Sequence, residues 1–149
     1  MIGLVARIRI AFENVPESKF TNLCVGYDDE GINDFFGGRG WREINSADLS
    51  YHSAALTFFT AEAFHYFLPS FMIAGIEFPE EFSGIIDAII SNLTPPKLDP
   101  ERPSFMERWK LFSPEQKQVT VDFLSYVNGK NNQHWLDDVI VRIRETIAA

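Results

Sequence analysis

Leu4, Ile8, Ala11 and Phe12 fall at helical spacing while Arg7, Arg9 and Glu13 lie off that stripe, which predicts an amphipathic helix ending before Pro16. Residues 18–27 have no clear period and read as a loop or a short extended piece. Asp28, Asp29 and Glu30 then read as the charged start of a short helix that Gly37-Gly38 stops. Leu49, His52, Leu56 and Phe59, spaced three, four and three apart, make one face of a further helix with Asp48 as its cap, so His52 falls on an apolar stripe. From Ala61 to Ile76, 11 of 16 residues are apolar, too many for a surface helix. This segment is the expected central helix, capped by Thr60 and kinked at Pro69, which offers no N–H to the carbonyl of His65.

Pro79 reads as the first-turn proline of another helix, with Phe82, Ile85, Ile86, Ile89 and Leu93 on its buried side. Four prolines between Thr94 and Pro103 predict a connecting loop. Ser113-Pro-Glu-Gln116 is a capping-box sequence with proline at the first helical position; it leads into Val119, Phe123 and Val127, and Asn128-Gly129 closes the helix. A last helix carries Trp135, Leu136, Val139, Ile140, Ile143 and Ile147, with Asp137 and Asp138 early and Arg142 and Arg144 late, the order the helix dipole favours. Alternating patterns are absent outside 18–27 and no fixed repeat is visible. The expected fold is all-α: one compact domain over residues 1–149, a bundle of six to seven helices around a kinked central helix.

Composition narrows the function classes. With 46% hydrophobic and 23% charged residues the chain is of ordinary globular type, not disordered or collagen-like. Thirteen Lys and Arg against 21 Asp and Glu give a net charge of −8, the wrong sign for neutralising phosphates, so no nucleic acid is expected as partner. The acids are not spread evenly: Glu17 to Asp34 carries a net −4, and Glu77, Glu80, Glu81 and Asp87 another −4 with no base between them. Such segments are either a solvated surface that aids solubility or an acidic face for a basic partner. The lone Cys24 cannot form an internal disulfide, which favours a reducing, cytoplasmic setting. Arg7 and Arg9 break the apolar opening too early for a signal peptide, and Ala61 to Ile76 is shorter than the ~20 residues of a bilayer span, so no membrane association is expected.

Few residues carry recognisable chemistry. Glu62 and His65 form a Glu-x-x-His pair one turn apart, the spacing used in di-iron bundles, but a closed site needs a second pair and further carboxylates. No metal and no cofactor are therefore expected. His52 interrupts an apolar face, where it reads as a core histidine with an internal hydrogen-bond partner; its alternative is a catalytic role with Tyr51 and Glu62. Nothing near Cys24 lowers a thiol pKa. Gly37-Gly-Arg-Gly-Trp41 lacks the Lys-Ser or Lys-Thr ending of a phosphate loop and reads as helix stop and turn, and Trp41-Arg42-Glu43-Ile44 beside it as an amphipathic plug of the kind found in cores and interfaces.

The blocks Phe35-Phe36, Gly-Arg-Gly-Trp-Arg-Glu-Ile, Tyr-His-Ser-Ala-Ala-Leu, Phe-Phe-Thr-Ala-Glu-Ala-Phe and Tyr-Phe-Leu-Pro, with Leu93-Thr-Pro-Pro96 and Phe112-Ser-Pro-Glu-Gln116 further on, resemble a bacterial family known only as a domain of unknown function. The resemblance covers most of the chain beyond residue 30. It implies that Tyr51-His52-Ser53 belongs to the family pattern and that a histidine at position 65 does not. Size, acidity and the lack of a catalytic set make a protein-interaction domain the first expectation, in the manner of an immunity protein that occludes a basic toxin or effector. Asp28, Asp29, Glu30, Asp34, Trp41, Glu77, Glu80 and Glu81 are its candidate contact residues. The alternatives are an enzyme of unknown class with a site around His52, and a structural subunit of a homo-oligomer such as a homodimer.

Overall fold

Helix α1, Leu4–Phe12, forms where the periodicity places it, burying Ile8 and Phe12 and leaving Arg9 exposed. The computed structural model describes residues 3–16, 23–24, 31–52, 54–78, 83–94, 101–131 and 137–148. Among these the fold is all-α. Beyond α1 the helices are α2 (Ile32–Phe36), α3 (Ser46–Leu49), α4 (Ala55–Phe58), α5 (Ala61–Glu77), α6 (Ser83–Leu93), α7 (Glu101–Trp109), α8 (Pro114–Asn131) and α9 (Asp137–Ala148), with 3₁₀ turns at Trp41–Glu43 and Ser50–His52. Extended backbone among the described residues pairs only at an isolated antiparallel bridge between Cys24 and Phe59. No helix among them is long and apolar enough to cross a membrane.

The nine helices among the described residues exceed the six to seven expected, for two local reasons. The run Asp48 to Phe59 is not one helix. Asn45 caps α3, its side-chain oxygen accepting from the Ala47 N–H at 2.9 Å, so Asp48 lies inside the helix and not at its cap. A 3₁₀ turn then tightens the chain over Ser50–His52 before α4 begins. The second reason is α7, which begins inside the stretch read as a loop. Pro103 sits at its third position, where the first-turn N–H groups have no intrahelical partner and the missing donor costs nothing.

The chain divides into two compact units, Met1–Glu13 with Ile90–Ala149, and Asn14–Ile89. In the first, α1 and α9 both pack against α8. The capping box at the start of α8 is reciprocal: the Gln116 N–H donates to Ser113 Oγ at 3.1 Å and the Ser113 N–H donates to Gln116 Oε1 at 2.9 Å. Gln116 Nε2 also donates to the Ala11 carbonyl at 2.9 Å, so the side chain that starts α8 also satisfies the last turn of α1. Arg7 pairs with Asp122 on α8, and Asn128 donates to Asp137 at the start of α9 at 2.7 Å. Trp109 is buried against Phe105 and Phe112 with Lys117 over its ring. Arg108 donates to Asn92 Oδ1 at 3.1 Å, and burial lowers its pKa from the ordinary arginine value.

Asn128-Gly129 does not end α8, which continues to Asn131. Gly129 is therefore a helix-interior glycine on an exposed position, and a Cβ there would meet nothing within 4 Å. Gly129→Ala is expected to raise unfolding stability by about 0.5–1 kcal/mol by removing freedom from the unfolded chain. A urea titration checks this; a fall in the midpoint would contradict it.

In the unit Asn14–Ile89 the core is built around α5. Thr60 caps it as the sequence indicates, its hydroxyl oxygen accepting from the Ala63 N–H at 3.2 Å, and twelve residues between Ala63 and Gly75 are buried. Leu23 is tied in twice: its N–H donates to Asn33 Oδ1 at 2.7 Å and its carbonyl accepts from the Thr60 N–H at 2.8 Å.

Candidate functional site

Helix α2 is held on α5 by aromatic packing, and the 3₁₀ turn at Trp41–Glu43 by hydrogen bonds to Tyr66 and Ser70. Phe36 from α2 is fully buried, with ring centroids of Phe59, Phe67 and Phe71 at 5.1, 5.0 and 6.1 Å. Its neighbour Phe35 is half-buried and carries the His52 ring stacked on it at 4.3 Å and 23°, while the Arg39 guanidinium lies 4.7 Å from its centroid. Gly37 and Gly38 make the turn that returns Arg39 to Phe35: a Cβ at Gly37 would come 2.5 Å from the Asn33 carbonyl oxygen, and Gly38 has φ 76°. The Gly37–Trp41 segment is thus a helix stop and turn.

Trp41 follows at the start of a 3₁₀ turn. It is only 5% exposed, a core position, with Ser70 Oγ donating to its carbonyl at 2.5 Å and its N–H donating to the Tyr66 hydroxyl at 3.4 Å. The Arg42 guanidinium lies 5.0 Å from the Trp41 ring centroid. As a candidate contact residue it lacks the surface that a partner would touch.

His52 is half-buried, not sealed in the core as its stripe suggests, because the 3₁₀ turn shifts the register of the residues after Leu49. Leu49, Leu56 and Phe59 keep their core positions; His52 comes to the rim, stacked on Phe35 and edge-on to Phe36 at 5.7 Å. Tyr51 beside it is 84% exposed. Glu62 is exposed in the first turn of α5, and no hydrogen bond or ion pair joins it to His52 or Tyr51. Among the described residues no group of three or more His, Cys, Asp or Glu side chains could hold a metal ion.

Of the acidic candidates, Asp34 is exposed in the first turn of α2 and Glu77 is exposed at the end of α5, as is Asp87 on α6. Asp28, Asp29, Glu30, Glu80 and Glu81 lie outside the described residues. The division into units adds what the segments alone do not show. Residues 14–89 contain twelve Asp and Glu against three Lys and Arg, a net of −9, whereas 1–13 with 90–149 contain nine against ten, a net of +1. The net negative charge of the chain belongs to one unit.

A family model described as a family of unknown function, DUF6714, matches residues 3–147. The chain belongs to this family. The DUF6714 match draws on both compact units and includes residues 3–30, which the sequence blocks do not reach. No curated protein and no solved structure matches the chain. Within this DUF6714 member, sequence inspection misses the seat formed by Phe35, Arg39 and His52. Its signal is an Arg four residues after an aromatic, across a Gly-Gly turn.

Proposed function

We propose that the chain is a protein-interaction domain whose acidic unit, residues 14–89, receives a basic protein partner, in the manner of an immunity-type protein that occludes a basic toxin or effector in the cytoplasm. The observation that carries this is the division of charge: −9 on one compact unit and +1 on the other. An acidic surface that served solubility alone has no need to be confined to one of the two units, whereas a docking unit does, because like charges elsewhere would only weaken orientation. Asp34, Glu77 and Asp87 are exposed on it.

Complementary charge acts mainly on the rate of encounter and is screened over about 10 Å at 0.1 M salt. With a partner captured by the full-length chain, the association rate constant is expected to fall about tenfold or more between 20 and 300 mM salt, with a much smaller change in the dissociation rate. An association rate independent of salt overturns the proposal.

A further inference from the structure

We infer that Tyr51 is the anchor of this docking surface and that it takes an arginine side chain of the basic partner on its ring, an inference that rests on the interaction reading above. Tyr51 is the most exposed large hydrophobic side chain among the described residues, at 84%, and makes no hydrogen bond or ring contact with them. Its backbone is nonetheless pinned. Leu49, two residues before, is fully buried, and His52, the next residue, is stacked on Phe35 and edge-on to Phe36. A tyrosine held out on a fixed turn offers a large contact area at the cost of few rotatable bonds, which is what interface anchors provide.

The surroundings select the partner's chemistry. Asp48 lies three residues before Tyr51, and Asp34 adjoins Phe35, whose ring seats His52. The two described bases of the unit are both turned to aromatic rings of their own unit, Arg39 to Phe35 and Arg42 to Trp41. Among the described residues no such cation lies over the Tyr51 ring. A guanidinium fits this site better than an ammonium, since it can lie flat on the ring.

Hexa-arginine serves as the probe, titrated at 20 mM salt into the full-length chain while the tyrosine ring signals are followed by carbon–proton correlation NMR. The ring signals absent from Tyr51→Ala identify Tyr51. The expected result is a saturable shift of those signals, binding weakened about two- to fivefold by Tyr51→Ala, and affinity retained by Tyr51→Phe. Tyr51→Gln, which keeps polarity and reach without a ring, is expected to behave as Tyr51→Ala; its unfolding temperature, with that of Tyr51→Ala, should match wild type because the side chain is exposed. Unchanged affinity in Tyr51→Ala and Tyr51→Gln overturns the anchor and leaves the acidic unit as the docking face. Absence of hexa-arginine binding to the wild-type chain at this salt overturns both.

Discussion

Phe36→Ala is expected to destabilise the chain by about 3–5 kcal/mol, the range for emptying a buried phenylalanine site. Phe36 is fully buried and its ring meets those of Phe35, His52, Phe59, Phe67 and Phe71, so truncation removes apolar burial and five aromatic contacts and leaves a void that rigid rings fill poorly. Folded domains are stable by only about 5–15 kcal/mol, so this change alone takes a large part of the total. Phe36→Leu keeps most of the volume and should cost less. Denaturant unfolding followed by circular dichroism measures both. A loss below about 1 kcal/mol for Phe36→Ala would show that the site collapses around the missing ring.

Gln116→Ala is expected to cost about 2–4 kcal/mol, more than a helix cap alone, because two backbone groups lose their partner. The Ser113 N–H loses its acceptor and the Ala11 carbonyl loses its donor, and Gln116 is itself buried. Gln116→Met keeps the volume without either hydrogen bond and should lose nearly as much. If the Met variant is as stable as wild type, packing rather than hydrogen bonding holds α1 to the start of α8.

Those two sites differ in how they show in the sequence. Ser113-Pro-Glu-Gln116 is a local motif whose geometry follows from four adjacent residues, and both of its bonds form. Its third bond, to Ala11, joins residues 105 positions apart and no local pattern encodes it. The length of α5 was equally plain, since an all-round apolar segment with a threonine cap leaves few alternatives. The stretch Asp48 to Phe59 misleads because spacing of three and four fits a continuous helix and a helix broken by a 3₁₀ turn alike, and only the second brings His52 to the rim. Prolines likewise hide α7, as Pro103 breaks a helix interior but fits a first turn. Charge was legible as two acidic segments; that it belongs to one compact unit follows only once α1 is seen to join the C-terminal half.

The place of the charge, and not its total, is what the proposed function depends on, and two double variants of equal net charge separate them. Asp34→Lys with Asp87→Lys alters exposed positions of the acidic unit; Glu107→Lys with Glu145→Lys alters exposed positions of the other, and each pair moves the net charge from −8 to −4. The decisive measurement is the association rate of each with the captured basic partner at low salt. The account predicts that the first pair slows association about tenfold while the second leaves it near wild type; equal slowing by both pairs, or none by the first, would contradict it.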